Sequence, residues 1–277
     1  MKLLRQTFCH IEGVGESIEK NRWKSSIISL EDLHDNAHLF FKGNKIDVIK
    51  KSARGSLRAL EKGDRKFFFD KLPKNLKWRI VPQHCERVAY LDIETTGLSF
   101  PPRNCSTSIS VVINGKLHQA HSKSQKKSLL AKVANESDLL VTYYGSCFDL
   151  PFLKSEFDFD PQIPHIDLCF WLRRHKLVGG LKKICQKTKE VPKRKTIGLD
   201  GFGAVTLWQE HLKGNSKALP TLLTYNAEDT TCLPILLKKA FQLETKSIKH
   251  LPFYDLNIGK IPKITTKADL PLIRSLF

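Results

Sequence analysis

Two acids one residue apart are the first residues in this chain whose type and spacing point to chemistry. Asp92 and Glu94 stand in Val88-Ala89-Tyr90-Leu91-Asp92-Ile93-Glu94, a short apolar run that ends in carboxylates. On a strand, positions i and i+2 point to the same face. Two carboxylates side by side among Leu91 and Ile93 repel each other and hydrate poorly, unless a cation lies between them or a basic side chain pairs with them. Two further acids stand where they can complete such a site. Asp149 closes Gly145-Ser146-Cys147-Phe148-Asp149, a strand-to-helix junction, where an acid serves equally as a helix N-cap. Pro151 just beyond it fits that boundary. Asp229 follows Tyr225 by four residues, so the two share one helix face about 6 Å apart along the axis. Glu228 is expected to face elsewhere, as a surface acid. Clustered carboxylates suit hard divalent cations such as Mg²⁺ or Mn²⁺.

The elements that must position these residues follow from periodicity and turn chemistry. Residues 88–94 read as a buried strand ending at a site. Ile109–Ile113 and Lys116–Ala120 flank Asn114-Gly115, a strong hairpin signal. A helix is expected over 126–135 and a strand over 139–144, followed by a turn at Gly145 and Ser146 into a helix near Asp149. Beyond about residue 165 the pattern is mainly helical, and Pro234 should kink the last helix without moving Asp229. Strands with an early hairpin, followed by alternation with helices, give an α/β fold: a mixed sheet flanked by helices.

The first 84 residues read as a small helical module. Two short helices joined by Gly13-Val14-Gly15 would resemble a helix-hairpin-helix, in which the glycines bring backbone N–H groups close to a phosphate; the same residues serve equally as a plain turn. Ser29 and Asp32 resemble a helix start. Residues 45–69 read as one basic amphipathic helix, broken at Leu72-Pro73. The resulting domains are 1–84, 85–245 and a tail over 246–277, which either docks on the core or stays loose; its Pro252, Pro262 and Pro271 carry no further information.

Composition narrows the function classes. Hydrophobic residues make up 41% of 277, enough for a sizeable core. Lys and Arg number 46 against 28 Asp and Glu, a formal +18, with 18 of the basic residues in 1–85 and 28 beyond. Such an excess suits a polyanion, nucleic acid first, although a basic proteome gives the same balance. No apolar run reaches membrane-spanning length and no secretory leader is expected. Seven scattered cysteines without a C-x-x-C pair (Cys9, Cys85, Cys105, Cys147, Cys169, Cys185, Cys232) read as small hydrophobes in a reducing cytoplasm rather than as disulfides or a zinc site.

In order along the chain, Asp92-Ile93-Glu94-Thr95-Thr96-Gly97, Phe148-Asp149 and Tyr225-x-x-x-Asp229 resemble the three motifs of the DEDD exonuclease superfamily, in its tyrosine subclass, beside the proofreading exonuclease of family B DNA polymerases. Phe8 to Leu33, His165-Ile166-Asp167-Leu168, Gly179-Gly180-Leu181-Lys182-Lys183-Ile184 and Gly198-Leu199-Asp200-Gly201 extend the likeness to the YprB-type ribonuclease H-like family. The resemblance covers the chain to about residue 245. It implies a ribonuclease H-like fold and a metal-dependent 3′–5′ exonuclease acting on single-stranded DNA, with RNA as the runner-up. Asp92, Glu94 and Asp229 would hold one cation, and Asp92 with Asp149 the second. Such a pair, about 3.5–4 Å apart, activates water and stabilises the leaving 3′ oxygen. Tyr225 would orient the water. Thr95, Thr96, Gly97, Leu98 and Phe148 would contact substrate, with Leu98 separating the terminal bases. Tyr144 stands where many relatives carry Asn, which puts one substrate contact in doubt. A structure-specific endonuclease on the same site, or a noncatalytic nucleic-acid-binding protein with retained acids, are the alternatives. A monomer is expected.

Weaker signals divide two ways. His165 and Asp167 either support the site or form a helix N-cap with a satisfied histidine. Residues 171–195 hold ten Lys and Arg against one Glu. They form either a solvated loop or a phosphate track, for which Arg173, Arg174, Lys182 and Lys183 are the candidates, with Gly13 and Gly15 as further contacts. Trp171 and Trp208 are expected in the core.

Overall fold

The computed structural model describes residues 2–64, 66–84, 86–246, 248 and 255–276. Cys85 and Pro252 lie outside the described residues. The chain divides into two compact units, Met1–Cys85 with Phe241–Leu256, and Glu86–Ala240 with Asn257–Phe277.

The first unit contains α1 (Lys2–Arg5), α2 (Glu16–Lys24), α3 (Leu30–Asp35), α4 (Lys45–Glu61), α5 (Phe67–Lys71) and α6 (Val81–His84), with 3₁₀ turns at Ala37–Leu39 and Lys74–Ile80. Ser29 and Asp32 form a capping box on α3, as their spacing requires. No helix spans Phe8–Glu12, so Gly13-Val14-Gly15 ends a longer connection from α1 to α2 rather than forming a tight turn between two adjoining helices. That segment is instead organised by Glu19, whose Oε1 accepts the N–H groups of Phe8 and Cys9 and an Arg79 Nη1–H at 2.8 Å. The single helix expected over 45–69 is two, because Gly63 adopts φ +65° and ends the first.

The second unit is built on a sheet of order β3-β2-β1-β4-β5. Its elements are β1 (Val88–Thr95), β2 (Ser106–Ile113), β3 (Lys116–Ala120), α7 (Lys123–Glu136), β4 (Leu139–Thr142), α8 (Asp149–Phe157), β5 (His165–Asp167), α9 (Leu168–Arg174), α10 (Leu181–Lys187), α11 (Gly201–Leu212), α12 (Ala218–Thr231) and α13 (Leu233–Lys246), then α14 (Leu270–Ser275). The last part of α13, from Phe241, belongs to the first unit. β1–β2–β3 pair antiparallel, while β4 and β5 extend the sheet parallel to β1. Asn114 and Gly115 both have positive φ, the backbone a two-residue hairpin demands.

Alternation along the strands fixes the site. Ala89, Leu91 and Ile93 of β1, with Ile109, Val111 and Ile113 of β2, pack into one core with Leu129, Leu130, Val133, Phe152 and Leu153 of α7 and α8. Asp92 and Glu94 must therefore face the other side of the sheet, paired in register with Ser110 and Ser108. These small serines are fully buried. The same face takes α12: Ser108 Oγ bonds Asn226 Oδ1, and Thr230 Oγ1 reaches the Ser110 carbonyl. A bulge between Glu94 and Thr95 ends regular pairing just past the acids. Residues 257–276 dock on this unit, with Ile273 joining Leu207, Leu222 and Tyr225 in a second core.

Candidate active site

Strand β1 brings Asp92 and Glu94 to the edge of α12, which carries Asp229. Oxygens of these three carboxylates lie within 4.8 Å of one another. Asp149 stands beside them: its Oδ1 accepts the N–H of Ile93, between the two strand acids, at 3.2 Å. It is the first residue of α8 and Phe148 takes the N-cap position, so the acid is not a cap.

Burial and mutual repulsion dominate the electrostatics. Asp92 is pushed well above the usual carboxylate range by burial, then by Asp229, Asp149 and Glu94, while Asn226 opposes this. Glu94 is raised by burial and Asp229, against Lys182 and Arg194. Burial lifts Asp149 to about 7, opposed by backbone N–H bonds and aided by Asp167 and Asp229. Hard oxygen donors packed this closely, with Asp92, Glu94 and Asp149 raised by burial and by neighbouring acids, are the donor set a divalent cation requires. The cluster fits one.

Several neighbours were not legible as site residues. Asn226 Nδ2 donates to Asp92 Oδ2 at 2.6 Å and is itself held by Ser108, which fixes the first acid. Arg194 grips Asp229 with both Nη atoms, the second at 3.3 Å, and lies 5.0 Å over the Tyr225 ring. Burial acts against its charge, but Asp229 and Glu228 hold it firmly protonated. Glu228 is not a surface acid. It is buried and accepts Lys195 N–H, Thr196 N–H and Thr196 Oγ1–H, and so anchors the loop that carries Arg194. Arg194 falls within the basic stretch read from the sequence, yet no spacing separates it from its neighbours there. Lys182 Nζ covers the Tyr225 ring at 4.5 Å and donates to the Leu199 carbonyl. Burial lowers its pKa, against Asp229 and Glu94.

Tyr225 is buried on the α12 face that carries Asp229. Burial, then Glu94 and Asp229, push its phenol far up, so it stays protonated. The turn Thr95–Leu98 is braced from within. Thr95 Oγ1 donates to the Gly97 carbonyl, Thr96 Oγ1 donates to Asn104 Oδ1, and a Cβ on Gly97 would lie 2.8 Å from that same Oδ1. Leu98 at its tip is 85% exposed. Phe148 packs on Phe100 and Phe152. Arg173, Arg174 and Lys183 are exposed on α9 and α10. Gly13 and Gly15 are exposed in the first unit, with Gly15 at the N-terminus of α2. His165 Nε2 bonds Thr142 Oγ1 at 2.9 Å and Asp167 caps α9, so the satisfied-histidine reading holds. Trp171 is buried and Trp208 packs on the second core. Among the described residues no helix is long and apolar enough to cross a membrane.

A family model of the ribonuclease H superfamily matches residues 89–241, the segment that carries all four acids and Tyr225. The chain belongs to the ribonuclease H superfamily. Its mixed sheet with flanking helices is the ribonuclease H-like α/β fold. Among solved structures the chain is similar to the family B DNA polymerase from the hyperthermophilic archaeon Pyrobaculum calidifontis, with 16% identity, a TM-score of 0.42, and coverage of 56% of this chain and 26% of that one. The chain thus spans about a quarter of the polymerase's length. No curated protein matches. Superfamily membership and the acidic cluster together support a nucleic-acid hydrolase that uses divalent cations.

Proposed function

We propose that this protein is a 3′–5′ exonuclease of the tyrosine DEDD subclass, of the YprB type, acting on single-stranded DNA. The observation that carries this reading is the convergence of Asp92, Glu94 and Asp229 within 4.8 Å, with Asp149 bonded to the backbone between the strand acids. Asp92, Glu94 and Asp229 would hold one Mg²⁺ or Mn²⁺, and Asp92 with Asp149 a second. Bound there, such ions neutralise phosphate charge, activate water and stabilise a departing oxygen.

The chain's own residues supply position. Asn226 and Ser108 hold Asp92 in one orientation. Tyr225, protonated throughout the working range, offers a hydroxyl that orients the attacking water rather than a base that deprotonates it. The braced Thr95–Leu98 turn projects Leu98 as a wedge against the terminal bases. The +18 charge draws the polyanion in.

The test is incubation of 5′-labelled single-stranded DNA and RNA with the protein and Mg²⁺ or Mn²⁺, with EDTA and Asp92→Ala controls. A ladder shortening from the 3′ end is expected on DNA and not with either control. Internal cuts, a preference for RNA, or turnover that survives Asp92→Ala would each overturn the corresponding part of the reading.

A further inference from the structure

Tyr144 is held in a conformation that costs energy and keeps its ring in solvent. Its φ is +65°, a region bulky side chains rarely adopt, and 48% of the residue is exposed. The strain is maintained by Asp167. Its Oδ1 accepts the Tyr144 N–H at 2.8 Å and also caps α9 through Cys169 N–H. Its Oδ2 accepts both the N–H and the hydroxyl of Ser146. One carboxylate thus ties the turn after β4 to the helix after β5. Across that tie lies a second exposed ring, Phe170, 41% accessible, with its centroid 6.0 Å from that of Tyr144 and the planes 33° apart. Arg173 lies 5.6 Å over the Phe170 ring.

Two large aromatic rings kept in water, one of them by a strained backbone, are not explained by packing: neither belongs to the core. Rings 6.0 Å apart already touch each other, so they form a ledge and not a slot, and a flat partner must lie on their outer faces. The ledge stands at the C-terminal ends of β4 and β5. These strands run parallel to β1, so it shares the sheet edge on which β1 carries Asp92 and Glu94. Asp149 lies five residues past Tyr144 in the same turn-to-helix segment. The partner that combines a flat apolar face with negative charge for Arg173 is a nucleotide, and its base can lie on the ledge only when unpaired and unstacked.

We propose that Tyr144 and Phe170 form a stacking ledge for an unpaired base of the substrate strand, with Arg173 taking the adjoining phosphate. The ledge selects single-stranded over fully paired ends. This rests on the nuclease reading and names the substrate form that the same site takes. The contact is sequence-tolerant, because every base presents a π face.

The test uses binding with Ca²⁺ in place of Mg²⁺, read by fluorescence anisotropy. Tyr144→Asn removes the ring while tolerating the positive φ, so the variant does not depend on strain the fold cannot hold. Phe170→Ala removes the second ring, and Tyr144→Phe keeps stacking. Single-stranded oligonucleotide affinity is expected to fall about 5- to 150-fold for Tyr144→Asn and for Phe170→Ala, and to stay unchanged for Tyr144→Phe. Blunt duplex binding should not change. An abasic site scanned through the last nucleotides should weaken wild-type binding at one position and leave Tyr144→Asn unaffected there. Equal losses on single strand and duplex, or an abasic effect that persists in Tyr144→Asn, would overturn the ledge. A wild-type protein that degrades DNA but shows either result refutes the ledge alone. One that neither binds nor cuts nucleic acid refutes the nuclease reading as well.

Discussion

Raising the pH in EDTA is expected to weaken the second unit, and Asp149 sets the scale. Burial lifts its carboxyl from 3.8 to about 7, while its bond from Ile93 N–H opposes the shift. In the unfolded chain the same group titrates at about 3.9. The folded chain therefore keeps a proton that the unfolded chain has already lost. The stability linked to that proton is complete below about pH 4 and disappears as pH rises through about 7. From pH 5 to pH 7 is two units at about 1.4 kcal/mol each, a loss of about 3 kcal/mol. For a unit of this size the melting temperature drops by about 2–4 °C per kcal/mol, so about 6–12 °C between pH 5 and 8. Asp92 and Glu94 are raised in the same sense and steepen the trend. Burial lowers His165 to about 4, which opposes the trend below about pH 6.5 and is the same in Asp149→Asn. Asp149→Asn keeps an acceptor for Ile93 N–H and removes the titration, so its melting curve should depend less on pH. Saturating Mn²⁺ should restore most at pH 8, where the carboxylates are free of protons. Differential scanning fluorimetry reads all three effects. A melting temperature that rises or stays level from pH 5 to 8 in EDTA, or an unchanged slope in Asp149→Asn, would refute this reasoning.

Arg194→Ala should bind Mn²⁺ about tenfold more tightly in isothermal titration, because the guanidinium and the cation compete for the two oxygens of Asp229; equal or weaker binding counts against competition. Tyr225→Phe should lower turnover of single-stranded DNA about 10²-fold or more with little change in KM, since it removes a hydroxyl that positions water. Steady-state kinetics decide this, and a shift confined to KM would make the residue a substrate contact instead. In the first unit, Glu19→Leu leaves the buried Arg79 charge and the N–H groups of Phe8 and Cys9 without their acceptor, and should cost about 3–5 kcal/mol in urea unfolding. A loss below about 1 kcal/mol would mean the pair is solvated when opened.

What could be read from the sequence was whatever local chemistry encodes. The hairpin at Asn114-Gly115 follows from two residues that accept positive φ. The common face of Asp92 and Glu94 follows from strand alternation, and that of Tyr225 and Asp229 from helix pitch. The break in the helix expected over 45–69 turned on one glycine, Gly63, whose positive φ is a backbone state that apolar periodicity does not encode. Strand β5 escaped notice because three residues carry no alternation. Asn226, Arg194 and Glu228 escaped for another reason. Their partners are distant in sequence: Asn226 bonds Asp92 134 residues away, and Arg194 bonds Asp229 35 residues away. Glu228 reads as solvent-facing on a helical wheel, and only the loop folding over α12 turns it into an acceptor for two backbone N–H groups.

How a fold tolerates so many carboxylates on one face of a sheet is answered by these residues that spacing did not reveal. Asn226 supplies Asp92 with a hydrogen bond but no charge, so it orients the acid without cancelling it. Arg194 supplies a full charge to Asp229, in the bidentate form that suits a carboxylate. Lys182 faces Glu94 and Asp229 electrostatically but gives its hydrogen bond to the Leu199 carbonyl, and burial lowers its pKa. The counter-charge is therefore concentrated on one side chain, and that side chain sits on a loop rather than on a strand or helix. The acids Asp92, Glu94 and Asp229 stand on β1 and α12, and the cation that balances Asp229 stands on a loop that Glu228 anchors through Lys195 and Thr196. Arg194 and a divalent ion would compete for the same two Asp229 oxygens, which is why the Arg194→Ala measurement bears on the whole site.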